Sequence, residues 1–365
     1  MSDALPDFPR KGRGAVSNRA GRFERFDADA VDDGWRTHAP YDDQDAPPPL
    51  RTTLTRDMSK TIIARNESPD VPFDRSINPY RGCEHGCVYC FARPTHAWLG
   101  LSPGLDFETK LFFKPDAAQL LERELRRPKY ECRVLAMGTN TDPYQPVERR
   151  LGITRDILRV LSDFNHPVGI VTKSALVARD IDILSDMAAR GLVQVCVSVT
   201  TLDAKLAMTL EPRAPTPTRR LATIRALADA GIPTGVMAAP VIPALTDSEI
   251  ESILAAARES GARTASYVLL RLPLEVSPLF REWLHAHAPD RAGRVMAILR
   301  EARGGKDYDS AFGTRMKGAG PHAEMLRQRF EAATRRLGFD AGCSFRLDVG
   351  RFRPPLSRDG QLALF

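Results

Sequence analysis

Five short runs rich in β-branched residues recur through the middle of this 365-residue chain, and helical patterns separate them. The strand-like runs lie at residues 133–137, 168–172, 193–199, 235–242 and 265–270. The helical patterns lie at residues 155–164, 177–190, 218–230 and 247–260. Apolar strands that alternate with helices usually pair in parallel and are covered on both faces. The pattern therefore predicts an α/β fold with a parallel sheet.

A tight loop ahead of these runs brings together three cysteines, Cys83, Cys87 and Cys90, with glycines at Gly82 and Gly86. Thiolates are preferred ligands of iron–sulfur clusters, and a cubane binds up to four of them, so this loop would leave one iron open. A zinc site usually takes four ligands in two pairs, and no second pair with such spacing follows. The histidine inside the loop would be a cramped fourth ligand, and a disulfide fits an odd number of cysteines poorly. The loop favours an iron–sulfur cluster.

An aromatic residue, Tyr89, directly precedes the last cysteine and completes the pattern C-x-x-x-C-x-aromatic-C. This pattern resembles the motif of the radical S-adenosylmethionine (radical SAM) superfamily. The resemblance implies a [4Fe-4S] cluster held by Cys83, Cys87 and Cys90, with S-adenosylmethionine on the open iron and its adenine beside the backbone of Tyr89. It also implies that the α/β region, with a weak further strand at residues 77–80, forms a partial (βα)6 TIM-type barrel.

Polar residues follow the predicted strands at their carboxyl ends, where barrels of this type carry out chemistry. Thr139 and Asp142 resemble the Thr/Ser-Asp-Pro variant of spore photoproduct lyase-like proteins, which implies that they bind the amine of the cosubstrate; an Asp-Pro turn is the alternative. Lys173 is expected beside a carboxylate or a ribose, and the hydroxyl of Ser198 is expected at the ribose. In similar proteins an arginine of the segment around Arg213 lies near the methionine carboxylate, a pairing that suits a guanidinium, so the resemblance implies this role for Arg213; an ordinary surface ion pair is the alternative.

From residue 76 to residue 339 the chain resembles radical SAM proteins grouped with spore photoproduct lyase and labelled DNA repair photolyase-like. The resemblance implies reductive cleavage of S-adenosylmethionine to a 5′-deoxyadenosyl radical that acts on nucleic acid in DNA repair, with electrons from a donor such as flavodoxin or ferredoxin. Spore photoproduct lyase returns hydrogen to its product through a cysteine, but residues 138–142 contain none, and Cys343 is a candidate substitute. Radical SAM modification of RNA or protein, and a non-catalytic iron–sulfur or clamp-binding protein, are the alternatives.

Composition divides the chain into four regions. Residues 1–50 are poor in aliphatic side chains and rich in proline, glycine and charge, so we predict a disordered arm. Residues 51–275 form the expected partial barrel, residues 276–353 a helical basic extension, and residues 354–365 a tail. Between residues 291 and 353 there are fourteen basic and seven acidic residues. This excess suits a phosphate backbone, although a solvated helical surface explains it equally well.

The chain ends in Gln361, Leu362, Ala363, Leu364 and Phe365. This pentapeptide resembles Gln-Leu-x-Leu-Phe, the motif by which bacterial polymerases and repair proteins bind the sliding clamp. An exposed apolar tail needs a pocket on another molecule, so we expect binding to the clamp and a location at DNA; the alternatives are a tail folded back on its own domain and a chance match of five residues.

Two further features bear on location. No apolar run approaches the ~20 residues of a membrane-spanning helix, and the amino terminus lacks an apolar signal core. Because thiols that bind a cluster need reducing surroundings, we expect a cytoplasmic enzyme.

Overall fold

The computed structural model describes residues 7–25, 50–340 and 347–356, so Cys343 and the predicted clamp-binding residues Gln361, Leu362, Leu364 and Phe365 lie outside the described residues. Within that part of the chain, strands form two sheets. In chain order the strands are β1 (Thr53–Arg56), β2 (Ile63–Arg65), β3 (Arg75–Ile77), β4 (Tyr80–Arg81), β5 (Lys110–Phe113), β6 (Leu135–Met137), β7 (Val168–Thr172), β8 (Val193–Ser198), β9 (Thr234–Val241) and β10 (Thr264–Leu269).

The larger sheet has seven strands in the order β10-β9-β8-β7-β6-β3-β2. All neighbours in it are parallel except β2, which runs antiparallel to β3. Parallel neighbours need crossover connections, which helices supply here. Strand β8 is buried at every position, as expected for a strand covered on both faces. The prediction of an α/β fold with a parallel sheet is confirmed.

The α-helices of the described residues include the four predicted between the strands. In chain order they are α1 (Leu105–Thr109), α2 (Ala117–Leu125), α3 (Glu148–Leu151), α4 (Ile153–Asp163), α5 (Ile181–Ala189), α6 (Ala204–Leu210), α7 (Pro217–Asp229), α8 (Ile250–Glu259), α9 (Val276–His287), α10 (Pro289–Glu301) and α11 (Pro321–Leu337). Helices α4, α5, α7 and α8 fill crossovers between β6 and β10 and match the predicted patterns closely. Short 3-10 turns precede α5 and α8, so both α-helices begin later than predicted.

The first parallel strand, β3, ends at Ile77, two residues before Pro79. The sequence predicted this strand at residues 77–80, which was too late. Proline has no N–H to donate to a sheet ladder, so the strand stops before it. The chain then passes through β4, which belongs to the smaller sheet with order β1-β5-β4, and enters the cysteine loop.

Residues 7–25 are ordered against the rest of the protein, so the prediction of a disordered arm over residues 1–50 was wrong for this segment. The residues from Arg13 to Ser17 are buried. The backbone N–H groups of Gly14 and Ala15 donate to the carboxylate of Glu108 at 3.0 and 2.8 Å. The segment is poor in apolar residues, and hydrogen bonds to a buried carboxylate replace the apolar burial that it lacks.

Helices α9, α10 and α11 form the region expected to be a helical extension. Helix α11 packs against α8, and the loop before α11 reaches the edge strand β10, where the N–H of Leu269 donates to the carbonyl oxygen of Met316 at 2.9 Å. The hairpin between β2 and β3 meets the same loop, because Arg315 pairs with Asp70 at 2.5 Å. None of the helices in the described part of the chain is both long and apolar enough to cross a membrane.

Candidate functional site

The three cysteines lie on the loop that follows β4, beyond the carboxyl end of β3. Cys83 and Cys87 are buried, Cys90 is half-buried, and all three are free thiols. Burial raises the pKa of Cys83, and Asp142 and the other two thiols raise it further, so the three sulfur atoms lie close enough to interact. Burial also raises the pKa values of Cys87 and Cys90. The positive charge of bound iron would stabilise the three thiolates.

Among the described residues, no group of three or more cysteine, histidine, aspartate or glutamate side chains is placed to hold one metal ion. In a cubane each of the three thiolates binds a different iron. The assignment of these thiols to a cluster rests on their spacing in the sequence and on the burial of Cys83 and Cys87.

The backbone of the cysteine loop is fixed from outside by hydrogen bonds. Arg93 donates to the carbonyl oxygens of Gly86 and Cys87 at 3.2 and 2.9 Å. Gln145 donates to the carbonyl oxygen of Gly82 at 3.2 Å. The two glycines have φ values of 76° and 67°, in the left-handed region that glycine adopts without strain. Protein contacts on several sides therefore determine where the cysteines lie.

A fully buried ion pair supports this loop. Arg93 and Glu108 are both 0% exposed, and Nη2 of Arg93 lies 2.5 Å from Oε1 of Glu108. Two buried charges are costly unless hydrogen bonds satisfy both. Arg93 has carbonyl partners in addition, and Glu108 accepts the N–H groups of Gly14 and Ala15. Glu108 thus connects the N-terminal segment to the guanidinium that holds the loop.

Asp142, predicted to bind the amine of the cosubstrate, lies directly behind the cysteine loop. Its carboxylate accepts hydrogen bonds from Thr172 and from the backbone N–H groups of Lys173 and Tyr144, and it lies 3.4 Å from Nδ1 of His85. Burial acts to raise the pKa of Asp142, but His85 and these hydrogen bonds outweigh it and lower the pKa to about 2. Protein groups occupy the acceptor positions of this carboxylate, so a ligand amine would have to share them.

Lys173, predicted beside a carboxylate or a ribose, points into the interior at the carboxyl end of β7. Its ammonium lies 3.5 Å from the carbonyl oxygen of Ala239, 3.9 Å from Oε1 of Glu211 and 5.8 Å from the centre of the Tyr89 ring. Burial lowers the pKa of Lys173, and Cys87 opposes this effect. A cation therefore lies between the cysteine loop and the end of the sheet.

A buried polar network surrounds Tyr89 and includes residues that the sequence analysis did not identify. The Tyr89 hydroxyl donates to Glu211, and Arg220 pairs with the same carboxylate. Thr200 donates to Glu211 at 2.7 Å, and Arg220 also donates to the carbonyl oxygen of Ser198 at 3.2 Å. Ser198, predicted at the ribose, is buried and supplies its carbonyl to this network.

Two other predicted residues lie farther out. Arg213 pairs with Glu84 at 3.1 Å, lies 3.5 Å from the hydroxyl of Thr52, and keeps 34% of its side chain exposed. This position agrees with the alternative of an ordinary ion pair. Thr139 exchanges hydrogen bonds with Asn78 at the edge of the site. The structure thus brings the cysteines, Tyr89, Asp142, Lys173 and Ser198 together, whereas Arg213 pairs with Glu84 of the cysteine loop and stays partly exposed.

The residues that sequence reasoning missed are charged and buried, chiefly Arg93, Glu108, Glu211 and Arg220. Charged side chains are mostly exposed, so a single sequence gives no reason to place them inside. The one available signal was proximity in sequence: Arg93 closely follows the cysteine loop, and Glu211 lies two residues from the predicted Arg213.

Comparison with known sequences finds one family and several uncharacterized relatives. A model of the Radical SAM superfamily matches residues 77–257. An uncharacterized protein of Mycobacterium tuberculosis is 38% identical over 242 residues, which cover 65% of this chain and 71% of that protein. An uncharacterized protein of Methanocaldococcus jannaschii is 27% identical over 214 residues, which cover 59% of this chain and 76% of that protein.

Comparison with solved structures finds the same architecture in spore photoproduct lyase. Its complex with dinucleoside spore photoproduct matches with a TM-score of 0.54 and 14% identity, covering 78% of this chain and 80% of that chain. A mutant of that lyase with bound AdoMet and dinucleoside spore photoproduct matches with the same TM-score, identity and coverage. At this identity the likeness shows that the folds agree.

Proposed function

The chain belongs to the radical SAM superfamily and is an enzyme of that superfamily, and from this premise we propose that it acts on a nucleic-acid substrate in DNA repair. The observation that carries the proposal is the cysteine loop with Cys83, Cys87 and Cys90, set at the carboxyl end of a sheet whose fold matches spore photoproduct lyase. That lyase has been solved in complex with a dinucleoside photoproduct, which supports a nucleic-acid substrate here.

The family implies a [4Fe-4S] cluster and S-adenosylmethionine, and the three free thiols of the loop, two buried and one half-buried, fit the cluster. When bound, the cluster supplies the electron for reductive cleavage of S-adenosylmethionine to a 5′-deoxyadenosyl radical. The residues of this chain would hold three iron atoms through Cys83, Cys87 and Cys90. They would also keep water from the site, since Val88 and Tyr89 of the cysteine loop belong to one apolar cluster with Leu210 and Ile242.

The polar residues around the loop suit a zwitterionic cosubstrate with a ribose. Lys173 lies close to Tyr89 of the cysteine loop and would bind a carboxylate or a ribose oxygen. The Tyr89 backbone would lie along the adenine, while its hydroxyl, tied to Glu211, fixes the ring. Thr139 and Asp142 would bind the amine and Ser198 the ribose side. Arg213, which pairs with Glu84 of the cysteine loop, would lie near the methionine carboxylate.

The reaction on the substrate differs from that of spore photoproduct lyase in its final hydrogen return. Residues 138–142 contain no cysteine that could return the hydrogen. Cys132 precedes β6, so it lies at the amino end of that strand, opposite the cysteine loop. We therefore propose a lesion other than the spore photoproduct. An electron donor such as flavodoxin or ferredoxin would reduce the cluster, and residues Gln361, Leu362, Leu364 and Phe365 would bind the sliding clamp.

The test is product formation by the reconstituted, reduced enzyme on four substrates in parallel: ultraviolet-damaged DNA, undamaged DNA, RNA and a protein extract. The proposal predicts that 5′-deoxyadenosine formation rises several-fold with damaged DNA and does not rise with undamaged DNA, RNA or the protein extract. Stimulation by RNA or by protein, with none by DNA, would replace DNA repair by modification of that other class.

A further inference from the structure

Arg271 lies just beyond the carboxyl end of β10 and has no carboxylate partner among the described residues. Its guanidinium carbon is 4.9 Å from the centre of the Phe91 ring and 5.9 Å from the centre of the Tyr308 ring. Nη1 contacts the sulfur of Met316 and Nη2 the hydroxyl of Tyr308, each at 3.4 Å. Nε is buried without a hydrogen-bond partner in the part of the chain that the structure describes. These contacts orient the guanidinium, and no described carboxylate lies within ion-pair distance of it; Asp70, which acts on Arg271 from farther away, is paired with Arg315.

A second cation without an ion pair among the described residues, Arg303, lies near Arg271, and Asp309 acts on it from beyond ion-pair distance. Arg303 is buried and donates to the carbonyl oxygens of Leu269 and Leu270 at 3.3 and 2.9 Å, and to two carbonyls of the loop before α11. Within residues 7–25, 50–340 and 347–356, no ion pair includes Arg271 or Arg303. Burial and then Arg271 lower the pKa of Arg303 to about 10, with Asp309 opposing them. Two neighbouring arginines without an ion pair favour the approach of an anion.

An exposed aromatic face adjoins this cation and the cysteine loop. Phe91 directly follows Cys90 and is 46% exposed, so Arg271 covers one part of the ring and solvent reaches the rest. Phe312, 61% exposed, lies on the neighbouring loop under Arg315. Arg315 is paired with Asp70, so its charge is already balanced, unlike that of Arg271.

A guanidinium without a counterion beside an open aromatic face matches the chemistry of a nucleotide. The guanidinium binds phosphate oxygens in a fork, and the ring stacks on a base. An acidic peptide would use the charge but would leave the aromatic face without a partner. Phe91 lies within residues 77–257 and Arg271 lies beyond them, so the feature joins the loop that holds the cysteines to the C-terminal part of the chain.

We propose that Arg271 and Phe91 form a nucleotide-binding subsite beside the cysteine loop, in which Arg271 contacts a phosphodiester and Phe91 stacks against a base. The proposal rests on the proposed function, because its occupant is the nucleic-acid substrate. Tyr308 and Met316 position the guanidinium. The subsite places a substrate nucleotide next to Cys90 and therefore next to the place where the reaction is initiated.

The experiment measures binding of a fluorescein-labelled single-stranded oligothymidylate to the full-length reconstituted protein by anisotropy, over a series of salt concentrations. We expect Arg271→Gln to weaken binding about tenfold and to lower the slope of log Kd against log salt by about one, as for loss of one phosphate contact. We expect Phe91→Ala to weaken binding by about tenfold with the slope unchanged, since stacking carries no charge.

Arg225→Gln is the matched control. Arg225 is an exposed arginine on α7 that donates to the carbonyl oxygen of Glu259. Glu259 is the last residue of α8, and the chain continues from there into the amino end of β10. This substitution removes the same charge from the opposite end of the strands and should change neither affinity nor slope. Iron content and Tm of each variant confirm that the protein is folded and loaded.

The results separate the subsite from the proposed function. If the unsubstituted protein binds the strand and Arg271→Gln behaves like it, or no worse than Arg225→Gln, the subsite is wrong and the proposed function stands. If a glutamate-rich peptide displaces the strand at lower concentration than unlabelled oligothymidylate, the subsite is for peptide. If the unsubstituted protein forms 5′-deoxyadenosine but binds no strand, both the subsite and the nucleic-acid substrate are overturned.

Discussion

The backbone of Gly14 passes so close to Gly86 that a Cβ on Gly14 would lie 1.8 Å from the carbonyl oxygen of Gly86. Gly86 directly precedes Cys87 in the cysteine loop, while Gly14 belongs to the N-terminal segment outside residues 77–257. The same carboxylate of Glu108 binds Gly14 and Arg93. A segment remote in sequence therefore helps to shape the loop that holds the cluster ligands.

Gly14→Ala should lower the iron content of the reconstituted protein and destabilise the fold. A methyl group at this position cannot be accommodated unless the N-terminal segment or the loop moves, and overpacking of this kind costs about 1–3 kcal/mol. The measurements are iron and sulfide per chain and the free energy of unfolding. Gly293→Ala is the control, because a Cβ on Gly293 in α10 would meet nothing within 4 Å. Equal iron content in the two variants would contradict this account of the loop.

Glu108→Ala should be much more damaging than loss of an exposed ion pair. It leaves the fully buried guanidinium of Arg93 without its counterion, which costs about 3–5 kcal/mol for buried pairs. Glu122→Ala is the control, since Glu122 and Arg126 form an exposed pair on α2 that contributes at most about 1 kcal/mol. Urea unfolding of both variants measures the difference. A loss for Glu108→Ala as small as that for Glu122→Ala would show that the buried pair does not hold the loop.

Asp307 should make stability depend on pH at the acid end. Burial acts to raise the pKa of Asp307, but hydrogen bonds from Arg281, Ser277 and Arg300 outweigh it and lower the pKa to about 2 from 3.8. A depressed pKa means that the stabilisation is complete above about pH 4 and is lost as the pH falls towards 2. Solvent screening keeps the effect to about 1 kcal/mol.

The test for Asp307 is the free energy of unfolding as a function of pH. Asp307→Asn should reduce the loss of stability between about pH 4 and pH 2, because asparagine does not titrate. Asp156→Asn is the control, as Asp156 is in an exposed pair with Arg159 on α4. A pH profile of Asp307→Asn that overlays that of the unsubstituted protein would refute this assignment.

Lys173→Met should weaken binding of S-adenosylmethionine about tenfold or more while iron content stays the same, because it removes a buried charge–charge contact worth roughly 1.4 kcal/mol or more. The substitution keeps much of the side-chain volume but removes the buried ammonium that lies between Tyr89 and Glu211. Titration of the cosubstrate into the reconstituted protein, followed by the change in the cluster's spectrum, gives the affinity. Lys205→Met, at the exposed start of α6, should bind as the unsubstituted protein does. Unchanged affinity in Lys173→Met would remove Lys173 from the cofactor site.

Much of the sheet could be predicted because its strands are apolar on both faces, and such runs stand out in a sequence. Strand β7 is found as predicted, and β6 begins two residues late, at Leu135. The cysteine loop could be predicted because the spacing of its ligands is local. Local patterns of this kind can be recognised without knowing which distant residues contact them.

The remaining features depend on contacts between residues far apart in sequence. Residues 7–25 are held in place by hydrogen bonds to Glu108, which lies more than 90 residues away in the sequence. Composition does not reveal contacts of this kind. Burial of Glu211 and Arg220 follows from their mutual pairing inside the protein. The sequence predicted that Arg213 lies near the methionine carboxylate. In the structure Arg213 pairs with Glu84 of the cysteine loop, a residue far from it in sequence.

The most direct test of the account is 5′-deoxyadenosine formation by the anaerobically reconstituted, dithionite-reduced protein with S-adenosylmethionine. Cys87→Ala removes one proposed iron ligand, and Cys132→Ala removes a thiol outside the cysteine loop. We predict product from the unsubstituted protein and from Cys132→Ala, and none above background from Cys87→Ala. Equal product from Cys87→Ala, or none from the unsubstituted protein with an intact cluster, would contradict the assignment of this loop as the catalytic centre.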